Sequence, residues 1–416
     1  MSSESIVVGL DIGTTKIAAV AGQVDQYGKV NIVGVGQHPS QGLRRGVVIN
    51  IDKTVESIQR AVEQAELLCG QKITKVYAGI AGDHIRSINS KGVIAVSSKD
   101  KIISEADVER VINAAKAIAL PMDREILHVL PQEYIVDDQD GIKNPVRIAG
   151  VRLEAEVHII TAAAASAQNI VQCIAEAGYE VADIVLEPYA SSLSVLEPEE
   201  RDLGVSIIDI GGGTTDIAMF FDGSIRYTSV LGLGGHHVTS DVSQGLRTSI
   251  DQAEELKKKY GVALDSFLSQ EELIKVPGVG GRAPREISRS VLAAIIQPRM
   301  EEMFALAARE MEKSDVYDSM GAGVVLTGGA SMIKGAAELA ERIMGMPVRI
   351  GSPIVHGGLV ESVSSPIFAT GVGLIYYGLE YGEDERLHGN ISFGKVLNRL
   401  KAVSYTHLRA HETKAN

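Results

Sequence analysis

Cysteine is scarce: Cys69 and Cys173 are the only two in 416 residues, and their spacing matches no metal-ligand pattern. That excludes a disulfide scaffold and a cysteine metal cluster, and it fits a reducing cytosol. Each thiol reads as a small buried hydrophobe. A long basic block is also missing, and the formal net charge is −13, so no nucleic-acid partner is expected. No signal peptide is expected, because residues 1–6 carry no basic region and Asp11 interrupts the apolar stretch after them. Two uncharged runs, 157–175 and 362–379, are long enough to test as membrane spans. The first holds His158, Gln168, Asn169 and Gln172, the second Pro366 and three glycines, so both read as buried elements.

What remains is globular. Hydrophobic residues make up 45% and charged residues 22%, over a length that accommodates two or more cores. The informative stretch is Ile207-Ile208-Asp209-Ile210-Gly211-Gly212-Gly213-Thr214-Thr215-Asp216-Ile217-Ala218, with β-formers on both sides. It predicts two short strands joined by a tight loop. Positive φ at the three glycines would let backbone N–H groups converge on one point. With the Thr214 and Thr215 hydroxyls beside it, that concavity suits anionic oxygens. Asp209, at the strand end, is a hard ligand for a hydrated Mg²⁺.

The phrase is repeated near the start as Leu10-Asp11-Ile12-Gly13-Thr14-Thr15-Lys16-Ile17-Ala18, two residues shorter. Either copy alone could be an ordinary glycine turn. The pair, with matched aspartates, reads as two related halves facing one nucleotide, with Lys16 as a point charge for a terminal phosphate. No Gly-x-x-x-x-Gly-Lys-Ser/Thr occurs, and neither copy leads into a Rossmann-type helix.

Doubled phosphate hairpins with these aspartates resemble the actin, heat-shock chaperone and sugar-kinase ATPase superfamily. Residues 126–134 (Ile-Leu-His-Val-Leu-Pro-Gln-Glu-Tyr), 186–192 (Leu-Glu-Pro-Tyr-Ala-Ser-Ser) and 325–330 (Val-Leu-Thr-Gly-Gly-Ala) are similar to the bacterial cell-division family FtsA. The resemblance runs from Ile6 to Tyr381. It implies an α/β, two-lobed actin-like ATPase fold with duplicated domains, an inserted subdomain of the FtsA type and a C-terminal amphipathic helix. The first lobe would take 1–82, 162–203 and 367–382, the insertion 83–161, and the second lobe 204–366, with a smaller subdomain at about 236–310. A linker at 383–392 would follow.

Along the chain, residues 53–68 have helical spacing, with Val55, Ile58, Ala61, Val62, Ala65 and Leu68 in one stripe. Ser104 and Asp107 form a capping-box pattern for a helix over 104–119. An alanine-rich helix is expected over 162–177, and residues 286–311 predict a long helix broken near Pro298. His236 and His237 lack a third ligand in register and read as turn residues.

The resemblance also implies roles. Asp11 and Asp209 would organise Mg²⁺, and Gly13, Thr14, Thr15, Lys16 and Gly211, Gly212, Gly213, Thr214, Thr215 the phosphates of ATP. Gly234 and Gly235 would approach from the second half, with Glu254 and Lys257 at the ribose and adenine edge. A solvated helix face is the plain reading of those last two. Gly328, Gly329 and Ala330 would flank the nucleoside. Glu187 would orient the attacking water, or else cap the helix that follows it. Hydrolysis would be slow at most. Arg285 and Arg289 are candidates for the acidic C-terminal peptide of FtsZ.

Residues 393–401 place Phe393, Val396, Leu397 and Leu400 on one helical face, with Lys395, Asn398 and Arg399 opposite. An apolar stripe with basic flanks on an acidic protein suits an interfacial helix on an anionic membrane. A helix docked on the body is the alternative. Residues 403–416 resemble translated sequencing-adapter read-through and are discounted. The function implied is an ATP-binding, self-associating adaptor that holds FtsZ at the cytoplasmic side of the inner membrane, at the septum, and recruits later division proteins. A pilus-assembly relative, a metabolic kinase and a chaperone ATPase are the rival readings. The kinase would need a catalytic base, and the chaperone a substrate domain beyond residue 381.

Overall fold

Paired β-formers and glycine turns set the opening sheet. The computed structural model describes residues 6–25, 28–268, 272–278, 280 and 282–382. Strands β1 (Ile6–Ile12), β2 (Lys16–Val24) and β3 (Val30–Pro39) form an antiparallel meander, followed by a small hairpin of β4 (Leu43–Arg44) and β5 (Val47–Val48). Helix α1 (Ile51–Cys69) starts where Asn50 accepts the Lys53 amide and stops at Gly70 in the left-handed region. Its buried stripe is Ile58, Ala61, Val62 and Ala65, whereas Leu68 faces solvent instead of completing the stripe. Strand β6 (Lys75–Ile80) then runs parallel to β1.

The chain next leaves this sheet to build a separate one. It comprises β7 (Arg86–Ala95), α2 (Glu105–Ala115), β8 (Arg124–Val136), β9 (Gln139–Ile142) and β10 (Arg152–Ala163), ordered β7-β10-β8-β9. The Ser104–Asp107 capping box forms, but α2 ends at Ala115, one turn earlier than its spacing suggests. Strand β8, 13 residues long, is an element that periodicity alone did not mark out. Helix α3 (Ala164–Glu176) and β11 (Glu180–Leu186) return to the first sheet, which reads β11-β6-β1-β2-β3 with one further strand beside β3.

Helices α4 (Glu187–Val195) and α5 (Pro198–Leu203) lead into a second sheet of the same design. Its strands β12 (Val205–Ile210), β13 (Thr215–Phe221) and β14 (Ser224–Leu231) repeat the meander. Helices α6 (Gly235–Leu246) and α7 (Ile250–Tyr260) follow, then a hairpin of β15 (Leu273–Val276) and β16 (Arg285–Ser288). Helix α8 (Arg289–Met311) starts later than Glu286 because residues 285–288 are used in that hairpin. It also runs through Pro298 unbroken, with Ile296, Met300, Met303 and Phe304 buried along it.

Strand β17 (Gly323–Thr327), α9 (Ala336–Met344) and β18 (Val348–Ile350) complete the order β14-β13-β12-β17-β18. In both sheets an antiparallel meander is extended by two parallel strands, which is the duplication implied by the repeated motif. Strand β19 (Gly357–Gly358) joins the first sheet beside β3, and α10 (Val360–Val363) precedes α11 (Ala369–Tyr381). No helix among the described residues is long and apolar enough to cross a membrane.

Helix α11 seals the first lobe through glycines. A Cβ on Gly9 would lie 2.2 Å from the Gly371 carbonyl oxygen, and one on Gly373 only 1.8 Å from that of Ala190 in α4. Backbones meet there with no room for a side chain. Gly373→Val should therefore cost at least the roughly 1–3 kcal/mol typical of an overpacked core. A urea midpoint equal to that of the wild type would show that α11 can shift away from α4.

Candidate functional site

The two meanders point their first turns at each other. Asp11 pairs with Ala18 and Ile12 with Ile17; Asp209 pairs with Asp216 and Ile210 with Thr215. Each loop is thus four residues long and closed by the same bond, Gly13 N–H to the Lys16 carbonyl and Gly211 N–H to the Thr214 carbonyl, both 3.0 Å. The two motifs are equal in their loops, not two residues different. The extra residues move Thr-Thr along the strand by two places, which preserves the face. Thr214 consequently stands where the first loop has Lys16, and Asp216 where it has Ala18.

The glycines also act differently from expectation. Gly211, Gly212 and Gly213 are not in the left-handed region. They are needed because the loops touch. A Cβ on Gly212 would lie 2.3 Å from Thr15 Cγ2, and one on Gly213 2.6 Å from Thr14 Oγ1. Gly234 is packed just as tightly, 2.7 Å from the Gly211 carbonyl by the same measure. The Gly235 and His236 amides donate to the Gly211 and Gly212 carbonyls at 2.9 and 2.8 Å. The start of α6 therefore braces the second loop, and His236 and His237 lie in its first helical turn, with His237 Nδ1 accepting the Gly234 amide.

Behind the tips, carboxylates converge. Asp11 and Asp209 are both nearly buried. Lys16 Nζ is 3.0 Å from Asp11 Oδ2 and also donates to the Ile367 carbonyl, with the Phe368 ring 5.1 Å away. Its ammonium is thus engaged by the first lobe and the segment entering α11. Asp209 Oδ2 accepts from Ser191 Oγ at 2.9 Å and lies 3.5 Å from Thr370 Oγ1, while Ser191 and Thr370 hydrogen-bond to each other. Gly328, with φ +81°, leaves space for that carboxylate, since its Cβ would be 2.3 Å from Asp209 Oδ1.

Ser191, Thr370 and Asp216 are site residues that motif reading missed. Ser191 stood inside one of the family stretches without a role, and Asp216 would have been found by counting strand register rather than matching letters. Burial pushes the Asp209 carboxyl up to about 6 and that of Asp216 to about 8. Glu187 is raised well above the ordinary range by burial and by Asp11, Asp216 and Asp209 around it. Asp216 accepts from Thr214 Oγ1 at 2.7 Å through one oxygen, and its buried Oδ1 has no hydrogen-bond partner among the described residues.

A third group lies on the second lobe. Lys257 is buried, donates to the Gly235 carbonyl at 3.0 Å and to Thr239 Oγ1 at 2.9 Å, and pairs with Glu254 at 2.7 Å. It is not on a solvated face. Ala330 packs on Gly235, and Gly329 is near Ile367, so 328–330, 234–235 and Lys257 form one continuous wall. Arg285 and Arg289 are outside this wall. Arg285 donates to the Leu246 carbonyl, and Arg289 to the Tyr260 carbonyl and Glu272, so both guanidiniums have partners within the chain. Phe393, Val396, Leu397 and Leu400 lie outside the described residues.

The donor set suits a hydrated divalent cation. Hard carboxylate oxygens from two lobes face one another, and a buried acceptor, Asp216 Oδ1, is left for water. No cluster of three or more His, Cys, Asp and Glu among the described residues is arranged to hold a metal directly.

Comparison with known proteins decides the family. A family model described as "Cell division protein FtsA" matches residues 206–373, and one for the "SHS2 domain inserted in FTSA" matches 82–161. The cell division protein FtsA of Pseudomonas aeruginosa is 49% identical over 384 residues, covering 92% of both chains. That of Escherichia coli K12 is 42% identical over 386 residues, covering 91% of both. The chain belongs to the FtsA family. It is accordingly a cell-division protein of the actin-like class. Among solved structures, a PilM–PilN type IV pilus biogenesis complex aligns at TM-score 0.65 and 16% identity, over 90% of this chain and 99% of that one. MreB5 of Spiroplasma citri bound to AMPPNP aligns at 0.53 and 16%, over 91% and 97%. These likenesses establish the actin-like fold, and the FtsA-type insertion distinguishes it.

The carboxylates make a pH prediction. For an acid raised on folding, the penalty is absent below the unfolded pKa of about 4 and grows until the folded pKa is passed. Without nucleotide or divalent cation, stability should fall between about pH 4 and 8, by about 1.4 kcal/mol per pH unit for each proton retained. Melting temperatures across that window should drop, and less steeply in Asp216→Asn. Buried His128 and His158, lowered to about 3 and about 4, act with the opposite sign below about pH 6.5. The readout is therefore the difference between wild type and Asp216→Asn, and a difference constant across the window would mean that Asp216 ionises at no cost.

Proposed function

We propose that this FtsA-family chain binds ATP with Mg²⁺ between its two lobes and uses the bound state to assemble and tether the division machinery. The observation that carries the reading is the pair of equal hairpin loops, tip to tip, with Asp11 and Asp209 behind them. Asp11 and Asp209 hold hydrated Mg²⁺ through water, and the metal neutralises phosphate charge when bound. Backbone around 13–15 and 211–215 cradles the phosphates, with Lys16 near Asp11 and Thr214 near Asp216. Glu187 orients the attacking water, in a buried setting that, with Asp11, Asp216 and Asp209 around it, raises its pKa above the ordinary carboxylate range. Gly234 and Gly235 back the second loop, Gly328, Gly329 and Ala330 flank the nucleoside, and Glu254 and Lys257 hold its ribose and adenine edge. The likeness to MreB5, solved with AMPPNP and with ADP, supports a nucleotide here. Turnover is slow at most.

The partners follow from the family. The chain self-associates, binds the C-terminal peptide of FtsZ on the second lobe near Arg285 and Arg289, recruits later division proteins, and lies on the cytoplasmic face of the inner membrane at the septum. Membrane attachment uses Phe393, Val396, Leu397 and Leu400, with Lys395, Arg399 and Lys401 against anionic headgroups. A pilus-assembly role shares the fold, but identity at 42–49% lies with cell-division relatives.

Two measurements test this. Asp209→Asn removes one charge from the metal shell, so ATP affinity measured with Mg²⁺ should fall more than affinity measured without it. Equal losses would reduce Asp209 to a structural role. For the adaptor function, immobilised FtsZ C-terminal peptide should retain the full chain, and anionic liposomes should sediment it. Leu397→Glu should abolish sedimentation and leave peptide binding intact. Full sedimentation that survives Leu397→Glu would place membrane contact elsewhere.

A further inference from the structure

The small β4–β5 hairpin has no role in the reading above. Leu43 pairs with Val48 and Arg44 with Val47, so its turn is Arg45–Gly46. Both residues have positive φ, 50° and 76°. Glycine adopts that backbone freely, whereas arginine does so against the steric preference of its Cβ.

Contacts at the turn show what this backbone secures. The Gly46 amide donates to Thr14 Oγ1 at 3.1 Å, which fixes the turn to the first loop. A Cβ on Gly46 would lie 2.3 Å from the Ala81 carbonyl oxygen, so the turn is wedged on its other side as well. The Arg45 side chain reaches across to the second lobe, where its Cδ is 4.0 Å from the Cβ position of Gly232. Gly232 opens the 232–235 segment that braces the second loop, and the Leu233 carbonyl accepts from Thr215 Oγ1 at 2.9 Å. Arg45 is exposed, and its guanidinium has no hydrogen-bond or ion-pair partner among the described residues. A cation is thus held at the rim where both loops meet, by a turn bonded to one loop and a side chain lying against the support of the other.

We propose that Arg45 is the clamp for the terminal phosphate of a nucleoside triphosphate, held in place where the first loop and the 232–235 segment already meet. This rests on the nucleotide-binding reading of the site. The planar guanidinium presents parallel donors that match two phosphate oxygens, and a diphosphate lacks the outer group. Arg45 therefore separates ATP from ADP.

The test is calorimetric titration of the full chain with ATP and with ADP, each with Mg²⁺, for the wild type, Arg45→Asn and Arg45→Lys. Asparagine tolerates the left-handed backbone, so Arg45→Asn should melt no lower than the wild type without nucleotide. Its ATP affinity should fall about tenfold, the size of one charge-assisted hydrogen bond, with ADP affinity unchanged within about twofold. Arg45→Lys should recover part of the loss. Equal losses for ATP and ADP, or no loss for either, overturn the clamp while leaving nucleotide binding in place. A wild type that binds neither nucleotide overturns the nucleotide reading itself and the clamp with it.

Discussion

Where Gly212 and Gly213 meet Thr14 and Thr15, nothing larger than hydrogen fits, and behind that contact Asp11, Glu187, Asp209 and Asp216 converge. Steric closeness and like charge thus oppose one another at one point. The backbone forces the lobes together, while ionised carboxylates at short range favour separation or proton uptake. Burial first, and the neighbouring carboxylates after it, raise Asp209 to about 6 and Asp216 to about 8, so proton uptake is one way that conflict is relieved. On the proposed reading, a divalent ion would relieve it without protons, so that metal and nucleotide would act on the same charges.

Much of the surrounding fold serves to keep those groups in place. Ser191 comes from α4 and Thr370 from α11, and the two hold Asp209 from the first lobe's side. Helix α11 in turn is fixed by backbone contacts at Gly371 and Gly373 that exclude side chains. Gly328 gives way to Asp209 from the other side, and Lys257 anchors the Gly235 carbonyl beneath the second loop. A substitution in α11 would therefore reach the Asp209 carboxylate through Thr370, without touching either hairpin loop.

The two hairpins and their aspartates were legible in the sequence because local β-propensity and glycine spacing decide them. The family stretches identified the fold and its insertion. Asp216 was not legible by motif matching, because Thr-Thr in one copy aligns with Thr-Thr in the other by letters but not by strand register. Positive φ at Gly211, Gly212 and Gly213 was the wrong reason for glycine, since their smallness answers to a loop nearly two hundred residues away. Lys257 looked like one charge on a polar helix face. Its burial depends on Gly235 and Thr239, which no local pattern places beside it. Pro298 argued for a break that tertiary packing of α8 overrides.

Edge exposure accounts for the remaining feature of the architecture. Strand β14 is the outer strand of the second sheet, and bare edges invite unwanted pairing. The inserted subdomain, although it grows from the first sheet, covers that edge with side chains. Ser87 Oγ donates to the Thr228 carbonyl at 3.1 Å, Asn89 Nδ2 to that of Arg226 at 3.3 Å, and Gln132 Nε2 to that of Ile225 at 2.9 Å. His158, buried between them, has Asn89 Oδ1 at 2.6 Å and Thr228 Oγ1 at 2.9 Å, and burial lowers its pKa to about 4. A neutral imidazole can satisfy both neighbours, donating from Nδ1 to the amide oxygen and accepting the hydroxyl at Nε2. The insertion is thus bonded to the second lobe while covalently part of the first. Any rotation of one lobe against the other must either carry the insertion along with β14 or break this set of buried polar contacts, so the insertion resists the same opening that the apposed loops and their carboxylates control.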